Sequence, residues 1–287
     1  MNLCDYNTIR DLLARHGFHF SKSMGQNFLI DPEVPRRIAE ASGADAGCGV
    51  LEIGPGIGPL TAELAQRAGK VVAVELDRAL LPVLAETMAP YPNVEVVPGD
   101  VLKLDLTAIA AEKFQGLTPI VCANLPYNVT SPILEKLVES PCFTAFTVMI
   151  QREVARRLCA PQGSSEGGSF SLFLQYYMKP ELLFDVPPEK FLPAPKVTSA
   201  VLRMTPRPAP AEVDDEAHFF RVVRAAFAQR RKTLANSLSA ALPGIPKESI
   251  QQAIADMGLP AAVRGEQLTL EDFAALSAAL GREADGD

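Results

Sequence analysis

Residues 50–59 read Val50-Leu51-Glu52-Ile53-Gly54-Pro55-Gly56-Ile57-Gly58-Pro59, a short apolar run followed by a glycine-rich turn. The run predicts a buried β-strand. The glycines predict a turn whose backbone comes close to a ligand and presents free N–H groups to it. From here to about residue 150, β-branched runs alternate with amphipathic stretches such as Leu60–Ala68 and Ala79–Ala89. Strands separated by helices predict right-handed crossovers and a mostly parallel, doubly wound sheet.

The full sheet is predicted to contain seven strands. Their β-branched or apolar runs are Val50–Ile53, Val71–Val74, Val94–Val97, Ile120–Cys122, Phe146–Ile150, Leu182–Val186 and Thr198–Met204. The last two flank a loop, residues 187–195, that is too rich in proline for a helix. We expect these two strands to close the sheet as a hairpin. The predicted fold class is therefore α/β, with one antiparallel edge strand in an otherwise parallel sheet.

A second, smaller domain is predicted after Thr205. Residues 206–211 read as a stiff linker because each of their three prolines fixes its own φ and restricts the preceding residue. Everything beyond the linker has a helical pattern, so the predicted domains are residues 1–205 and an all-helical domain at 206–287. A flexible connection is expected within the first domain at Gln162–Ser169, where glycine and serine dominate.

Several helix ends are marked in the second domain. Pro246 fits the first turn of a helix that Gly258 would terminate. Thr269 and Asp272 resemble a capping box for a last helix, Leu270–Leu280.

Charge and composition exclude some classes of protein. The 287 residues include 34 acidic and 27 basic side chains, a net charge of −7, which argues against a general polyanion binder. A surface for nucleic acid must therefore be a local patch. The sequence contains no run of eighteen apolar residues, and charges interrupt its first turns, so we expect neither a membrane span nor a secretory signal.

The five cysteines and the first two histidines show no metal-binding pattern. The cysteines are odd in number and widely spaced, which is typical of a protein in the reducing cytoplasm, and they are Cys4, Cys48, Cys122, Cys142 and Cys159. His16 and His19 are close in sequence, but no third potential ligand clusters with them. We therefore expect no metal.

Acidic residues follow the second and third predicted strands, beside the glycine turn. A dinucleotide fingerprint requires glycine or alanine at the position that Pro59 occupies, so the turn instead looks like the cofactor loop of S-adenosylmethionine-dependent methyltransferases. Glu75 ends the second strand, where its oxygens can accept hydrogen bonds from both ribose hydroxyls. Asp100 can accept a hydrogen bond from an adenine amine. Apolar walls for the adenine are expected from Ile57, Leu76 and Val101.

The fourth strand is followed by a tetrapeptide that suits methylation of an aromatic amine, Asn124-Leu125-Pro126-Tyr127. The lone pair of such an amine is delocalised into the ring, so the nitrogen is a poor nucleophile. The side-chain oxygen of Asn124 and the backbone carbonyl of Leu125 can accept hydrogen bonds from the two N–H groups of the amine. These bonds return electron density to the nitrogen. The ring of Tyr127 offers a stacking surface for the base. No strong general base is required, because the amine becomes acidic once it is methylated.

These features, taken in order, resemble those of the KsgA (RsmA) family of ribosomal RNA adenine dimethyltransferases. The resemblance spans about residues 20 to 275. Its other motifs are Met24-Gly25-Gln26-Asn27-Phe28-Leu29, Gln151-Arg152-Glu153-Val154-Ala155, Phe191-x-Pro-x-Pro-Lys-Val, Ala226-Phe227 and Arg230-Arg231-Lys232-Thr233-Leu234. It implies a Rossmann-like methyltransferase fold, S-adenosylmethionine as cofactor, and dimethylation of two adjacent adenosines near the 3′ end of 16S rRNA in an immature small subunit.

The resemblance also assigns site residues. The cofactor site would be lined by Gln26, Asn27, Leu29, Gly54, Gly56, Glu75, Leu76, Asp100, Val101 and Asn124. Gln26 would close it over the methionine end. The catalytic set would be Asn124, Leu125, Tyr127 and Phe191, the last facing Tyr127 across a flipped base from an exposed loop.

This sequence departs from the family pattern at a few positions. Thr198 replaces an acidic residue, Gly265 stands where alanine is commoner, and residues 163–169 lack a tyrosine often found there.

A basic RNA surface is predicted mainly in the helical domain, which is assigned RNA and ribosome binding. The RNA-binding candidates are Arg152, Arg221, Arg224, Arg230, Arg231 and Lys232, with Arg156 and Arg157 near the first of them. Arg221 and Arg224 are three residues apart and therefore share a helix face. We expect these cations to hold phosphates as a group, in a protein that acts as a monomer.

Three other functions stay open at this point. A resistance-type methyltransferase of large-subunit rRNA would use the same chemistry and similar motifs. An assembly checkpoint would bind immature subunits with methylation as a secondary role. A nucleotide-dependent oxidoreductase is disfavoured by Pro59.

Overall fold

The computed structural model describes residues 1–18 and 26–284. Its strands are β1 (Phe28–Leu29), β2 (Cys48–Ile53), β3 (Lys70–Glu75), β4 (Val94–Pro98), β5 (Thr118–Asn124), β6 (Phe146–Gln151), β7 (Met178–Val186), β8 (Phe191–Leu192) and β9 (Ser199–Pro206). The helices up to β7 are α1 (Tyr6–Arg15), α2 (Glu33–Ser42), α3 (Pro59–Ala65), α4 (Leu81–Met88), α5 (Leu106–Lys113), α6 (Thr130–Val138), α7 (Arg152–Leu158) and α8 (Ser169–Tyr177). Those after β9 are α9 (Glu216–Phe227), α10 (Leu234–Ala241), α11 (Lys247–Asp256) and α12 (Leu270–Ala284).

Seven strands form one sheet in the order β4-β3-β2-β5-β6-β9-β7, and each corresponds to a run predicted from the sequence. The pairs from β4 to β6 are parallel, and β9 is antiparallel to β6, with β7 outermost at that edge. This confirms the mostly parallel Rossmann-like sheet. All six residues of β2 are buried, as expected for a central strand covered on both faces.

The strand order reverses at β2, which lies between β3 and β5. Val50 pairs with Val71 on one side and with Ile120 on the other. In open parallel sheets, a crevice forms outside the carboxyl ends of the strands at such a reversal. The fold therefore provides a binding position at the ends of β2 and its two neighbours.

A two-stranded antiparallel ribbon was not predicted. Phe28 pairs with Leu192 and Leu29 with Phe191, so β1 and β8 join segments that are far apart in the chain. Ile30 N–H also donates to the carbonyl of Lys190 at 2.9 Å, and the Lys190 ammonium pairs with Asp31. The proline-rich loop thus contains a short strand, preceded by one turn of 3₁₀ helix.

The chain divides into two compact units. The first contains Met1–Ala155 and Pro180–Pro206, and the second contains Arg156–Lys179 and the residues from Arg207 onward. The sequence-based boundary differs, because it keeps residues 156–179 in the first domain. In the structure Tyr176 of α8 packs its ring 5.4 Å from Phe219 and 5.3 Å from Phe220 of α9, so burial of aromatic surface groups α8 with the later helices.

The second unit is built around the apolar faces of α8 to α12. The predicted capping box is present, because Thr269 N–H donates to Asp272 Oδ2 at 2.8 Å and Asp272 N–H donates to Thr269 Oγ1 at 3.1 Å. Gly265 is explained by a close approach, since a Cβ there would lie 2.8 Å from the carbonyl oxygen of Ala226. The stretch predicted as a flexible connection is in contact with α12, since Gln162 Oε1 accepts a 2.9 Å hydrogen bond from Leu270 N–H.

Within residues 1–18 and 26–284, no helix is both long and apolar enough to cross a membrane. The described part of the chain also contains no group of three or more His, Cys, Asp or Glu side chains placed to hold a metal ion. His19 lies outside the described residues. All five cysteines are free thiols.

Candidate functional site

A cavity of about 240 Å³ opens where β2, β3, β4 and β5 end. Each strand contributes to its wall through the residues that follow or complete it, namely Gly54, Glu75, Asp100 and Asn124. The structure therefore brings together the acidic side chains and the amide that the sequence placed at successive strand ends. This is the position that the strand order at β2 predicts for a ligand.

The glycine turn has a conformation that side chains would not tolerate. Gly54, Gly56 and Gly58 have φ values of +68°, +62° and +93°, which favour glycine strongly. A Cβ on Gly58 would also lie 2.4 Å from Met88 Cε, so the end of that methionine side chain would have to shift. Gly54 and Gly56 line the cavity as predicted.

Ile57 does not line the cavity, which corrects its assignment as an adenine wall. Its side chain is fully buried and packs with Leu80, Val83 and Leu84. The left-handed residues on either side of Ile57 turn it away from the open edge of the sheet and into the core.

Glu75 is the buried carboxyl at the end of β3. It is only 6% exposed, and Oε1 accepts a 2.7 Å hydrogen bond from Asp77 N–H. Burial raises the pKa of Glu75 to about 6, although the hydrogen bond from Asp77 opposes the shift. A carboxyl held at this point suits recognition of neighbouring hydroxyl groups on a ribose.

Glu52 is a second buried carboxyl on the cavity wall, and sequence reasoning assigned no role to it. It is 1% exposed, and within the described chain its Oε2 atom has no hydrogen-bond partner. Burial raises the pKa of Glu52 to about 8, and the charge of Glu75 adds to the shift. The signal was present in the sequence, because Glu52 is the acidic residue that precedes the glycines. An unpaired acidic oxygen at this depth is compatible with a positively charged ligand.

An apolar surface lies beside Glu75. Leu76 lines the cavity and is 54% exposed, which is unusual for a leucine next to a buried strand, and Val101 completes the wall. Asp100 is positioned by its own turn, because its Oδ1 accepts from Leu102 N–H at 3.0 Å. The Leu102 carbonyl in turn accepts from Lys136 Nζ at 3.0 Å. The exposed Leu76, the buried carboxyls and Asp100 together fit a nucleoside that carries a positive charge.

The segment Asn124–Tyr127 forms the opposite wall. Asn124 is the last residue of β5, and Leu125 N–H donates to the Met149 carbonyl of β6 at 3.0 Å. No hydrogen-bond partner of the Asn124 amide is recorded among residues 1–18 and 26–284. Pro126 then turns the chain with φ −59° and ψ 130°, and Tyr127 begins a 3₁₀ turn. The sheet thus holds the start of this segment, and its amide faces the cavity.

The first unit's N-terminal segment covers a further part of the cavity. Gln26, Asn27 and Leu29 all line it, as the resemblance implied. Gln26 Nε2 donates to Asp77 Oδ2 at 2.6 Å, which joins this side chain to the turn that follows the buried carboxyl of Glu75 at the end of β3. Met24 and Gly25 lie outside the described residues.

Phe191 is buried, which corrects its assignment to an exposed loop that faces Tyr127. It is 2% exposed, does not line the cavity, and packs in the core with Leu29, Val186 and Val201. The reason is its pairing with β1, which turns the proline-rich loop into a strand. Phe191 therefore supports the cavity through Leu29 and offers no surface to a ligand.

The predicted RNA-binding cations differ in their contacts. In the first unit, Arg152 pairs with Asp185 at 3.4 Å. In the second, Arg221 Nη2 donates to His218 Nδ1 at 2.6 Å, and Arg230 Nη2 donates to the Ser165 carbonyl at 3.0 Å. Three further side chains are exposed without a recorded ion-pair partner in the described chain, and they are Arg224, Arg231 and Lys232. Arg221 and Arg224 share the exposed face of α9 as expected.

Comparisons with known proteins identify the family of this chain. A model of the ribosomal RNA adenine dimethylase family matches residues 17–278. Relatives from Bacillus mycoides and Bacillus cereus, both named ribosomal RNA small subunit methyltransferase A, are 50% identical over 279 residues, which is 96% of this chain and 96% of each relative.

Two solved structures share the fold. The 23S rRNA methyltransferase ErmE has a TM-score of 0.67 and 28% identity, and the match covers 89% of this chain and 100% of that one. A dimethyladenosine transferase from Plasmodium falciparum has a TM-score of 0.73 and 24% identity, with coverages of 89% and 98%. Because the family match extends over nearly the whole sequence, the chain belongs to the ribosomal RNA adenine dimethylase family.

Proposed function

We propose that the protein transfers methyl groups from S-adenosylmethionine to the exocyclic amines of two adjacent adenosines near the 3′ end of 16S rRNA. The observation that carries the proposal is that one cavity has both a wall suited to a nucleoside and a wall suited to the target amine. Glu75 and Asp100 form a nucleoside-binding wall, and Asn124 to Tyr127 form the wall opposite. The identity of half the residues to enzymes named for the small ribosomal subunit supports the choice of RNA.

The cofactor, when bound, supplies a methyl group activated by a positively charged sulfur. The Glu75 carboxylate would accept hydrogen bonds from the ribose hydroxyls, and Asp100 would accept one from the adenine amine. Leu76 and Val101 cover the adenine, which removes the exposed leucine surface from water. The ionised Glu75 provides negative potential that favours a cationic ligand in this cavity, and a positive charge beside the buried Glu52 favours loss of its proton.

The target amine is activated by acceptors. The Asn124 side-chain oxygen and the Leu125 carbonyl accept hydrogen bonds from its two N–H groups, which returns electron density to a nitrogen whose lone pair is otherwise shared with the ring. The base stacks on Tyr127, and reaching it requires the adenosine to leave its stack. Catalysis then depends on alignment and on electrostatic stabilisation, without a strong general base.

The RNA surface is assigned to the second unit, as an RNA- and ribosome-binding domain. Its exposed cations Arg224, Arg231 and Lys232 have no recorded ion-pair partner in the described chain, so they are free to bind phosphates. Arg221 and Arg230 add charge to the same unit while also making internal contacts. We place the protein in the cytoplasm, acting as a monomer on the immature small subunit.

The test is transfer of labelled methyl groups to ribosomal subunits that lack the modification. We expect label on small subunits only, recovered as dimethyladenosine at neighbouring positions. Asn124→Ala should still bind subunits but transfer little label, which separates the methyl transfer from binding of the RNA. The proposal is wrong if the wild-type protein modifies no adenosine in small subunits.

Large-subunit rRNA is the second candidate substrate, because ErmE shares the fold at 28% identity and acts on 23S rRNA. Assaying large subunits beside small ones decides between the two. Label confined to large subunits would overturn the assignment of the RNA and leave the chemistry unchanged.

A further inference from the structure

Tyr127 makes a hydrogen bond to a residue of the antiparallel strand. Its hydroxyl oxygen lies 2.5 Å from the Oγ atom of Ser199, which is 72 residues later and begins β9. Ser199 is fully buried, whereas Tyr127 lines the cavity. One end of the bond is therefore in the core and the other end reaches the site.

The Ser199 end is held by the sheet. Ser199 pairs with Gln151 in the β6–β9 ladder, and the carbonyl of the preceding Thr198 accepts a 3.0 Å hydrogen bond from Arg152 N–H. The side chain of serine has one rotatable bond that moves its oxygen, so that oxygen has only three staggered positions relative to the backbone. The buried strand thus keeps the hydroxyl within a short reach of its own backbone.

The Tyr127 end has fewer restraints from the backbone. The residue lies in a three-residue 3₁₀ turn outside the sheet, and Thr130 Oγ1 fixes that turn from the far side by donating to the Pro126 carbonyl at 3.0 Å. That bond restrains the backbone of the turn and does not reach the phenol ring. The hydrogen bond to Ser199 determines where the ring points, because it fixes the ring at its distal atom.

We infer that Ser199 is a positioning residue for the methyl transfer, which holds the ring of Tyr127 in the orientation that the target adenine stacks on. The inference rests on the proposed function, since it takes Tyr127 as the surface for the base. Ser199 itself does not line the cavity. Its effect on the reaction passes through Tyr127 alone.

The test is a double-mutant cycle with Ser199→Ala, Tyr127→Phe and both together. Each single variant removes the bond and leaves a stacking ring, so we expect kcat to fall about five- to tenfold, as loss of one neutral hydrogen bond implies. The double variant should be no slower than either single variant, because the two residues act through one bond. The affinity for S-adenosylmethionine should stay within about twofold of the wild type, since neither hydroxyl is assigned to the cofactor.

A spectroscopic readout separates positioning from general damage. The Raman doublet of tyrosine reports whether a phenol donates or accepts hydrogen bonds, and the chain has five tyrosines and no tryptophan to obscure them. Ser199→Ala should change the doublet in the Tyr127 background and leave it unchanged in the Tyr127→Phe background. If Ser199→Ala does not fold, Tyr127→Phe still removes the same bond and carries the test.

Thr147→Val is the matched control. Thr147 lies in β6 and pairs with Arg203 near the other end of the β6–β9 ladder. Its Oγ1 is buried without a hydrogen-bond partner in the described part of the chain, so its loss should leave kcat unchanged. Wild-type kcat in Ser199→Ala, or losses that add in the double variant, would overturn the inference. A wild-type enzyme that methylates no small subunits would contradict the proposed function instead.

Discussion

Gln26 Nε2 donates a 2.6 Å hydrogen bond to Asp77 Oδ2 and so joins the segment before β1 to the turn after β3. Both residues line the cavity, and Asp77 also donates its N–H to Glu75. Removing the Gln26 amide should release one side of the cofactor site. We expect Gln26→Ala to bind S-adenosylmethionine about fivefold more weakly, the effect of one hydrogen bond, in titration calorimetry.

Gln66→Ala is the control for that variant. Gln66 is exposed in the same unit and its side chain donates to the Ala62 carbonyl one turn earlier, away from the cavity, so its loss should not change cofactor affinity. Equal affinities in wild type and Gln26→Ala would show that this contact does not shape the site.

The pH dependence of cofactor binding follows from Glu75. Burial raises its pKa to about 6, and the ionised form is the better acceptor for two hydroxyls. Lowering the pH below about 6 protonates the carboxyl, so affinity should fall by up to about tenfold per pH unit. We expect Glu75→Gln to bind weakly at pH 8 and to lose this dependence between pH 5 and 6.5. A wild-type affinity that is flat over that interval would contradict the role of Glu75.

Glu52 should make the protein less stable as the pH rises. Its pKa is about 8 when folded and close to the ordinary 4.5 when unfolded, so the folded state holds a proton that the unfolded state has lost. Its stabilising contribution is therefore full below pH 4.5 and is lost as the pH rises through 8, at no more than about 1.4 kcal/mol per unit.

Urea denaturation of the wild type and of Glu52→Gln between pH 5 and 8 measures this contribution of Glu52 to the free energy of unfolding. The variant should lose most of the wild-type decline in stability above pH 6, and below pH 6 it should keep only the share due to Glu75, whose pKa is raised in the same direction. Glu112→Gln, on the exposed side of α5, is the control and should follow the wild type. Parallel curves for wild type and Glu52→Gln would exclude this mechanism.

The strand-end residues could be predicted because their signals are local. Gly54, Glu75, Asp100 and Asn124 each lie at the end of a strand or within two residues after it, and a parallel sheet brings such ends to one edge. The seven strands were found for the same reason, with ends that differ by a few residues.

Long-range packing could not be predicted from these signals. The β1–β8 ribbon has two residues in each strand and joins Leu29 to Phe191, so no periodicity reveals it. The prolines around Phe191 are typical of an exposed loop, yet the pairing buries the ring. Ile57 was misplaced because the glycine turn determines its direction, and the contact between Tyr127 and Ser199 depends on the ladder of β9.

The exposed cations of the second unit predict a salt-dependent affinity for RNA. If Arg224, Arg231 and Lys232 contact phosphates, each of them displaces counterions from the RNA when the protein binds. Replacing all three by alanine removes that displacement. We expect the slope of log affinity against log salt to become shallower by about 0.7–0.9 for each cation that contacts a phosphate. Filter binding to small subunits over a range of potassium concentrations measures the slope.

Lys247→Ala is the control for charge alone, because Lys247 is exposed in the same unit at the start of α11. Its loss should change the slope less than the loss of any one of the three. An unchanged slope in the triple variant would place the RNA surface elsewhere.

Burial of Phe191 makes a prediction opposite to that of a stacking role. Phe191→Leu keeps an apolar side chain in the core and should cost less than about 1.5 kcal/mol of unfolding free energy, with kcat close to that of the wild type. Phe191→Ala leaves a cavity beside Leu29 and should cost about 3–5 kcal/mol. Phe143→Leu, at a ring that is also 2% exposed and lies outside the cavity wall, is the matched control. If the ring of Phe191 instead stacked on a base, kcat would fall in Phe191→Leu, because leucine offers no aromatic face. The denaturation curve of Phe191→Leu would then stay with that of Phe143→Leu.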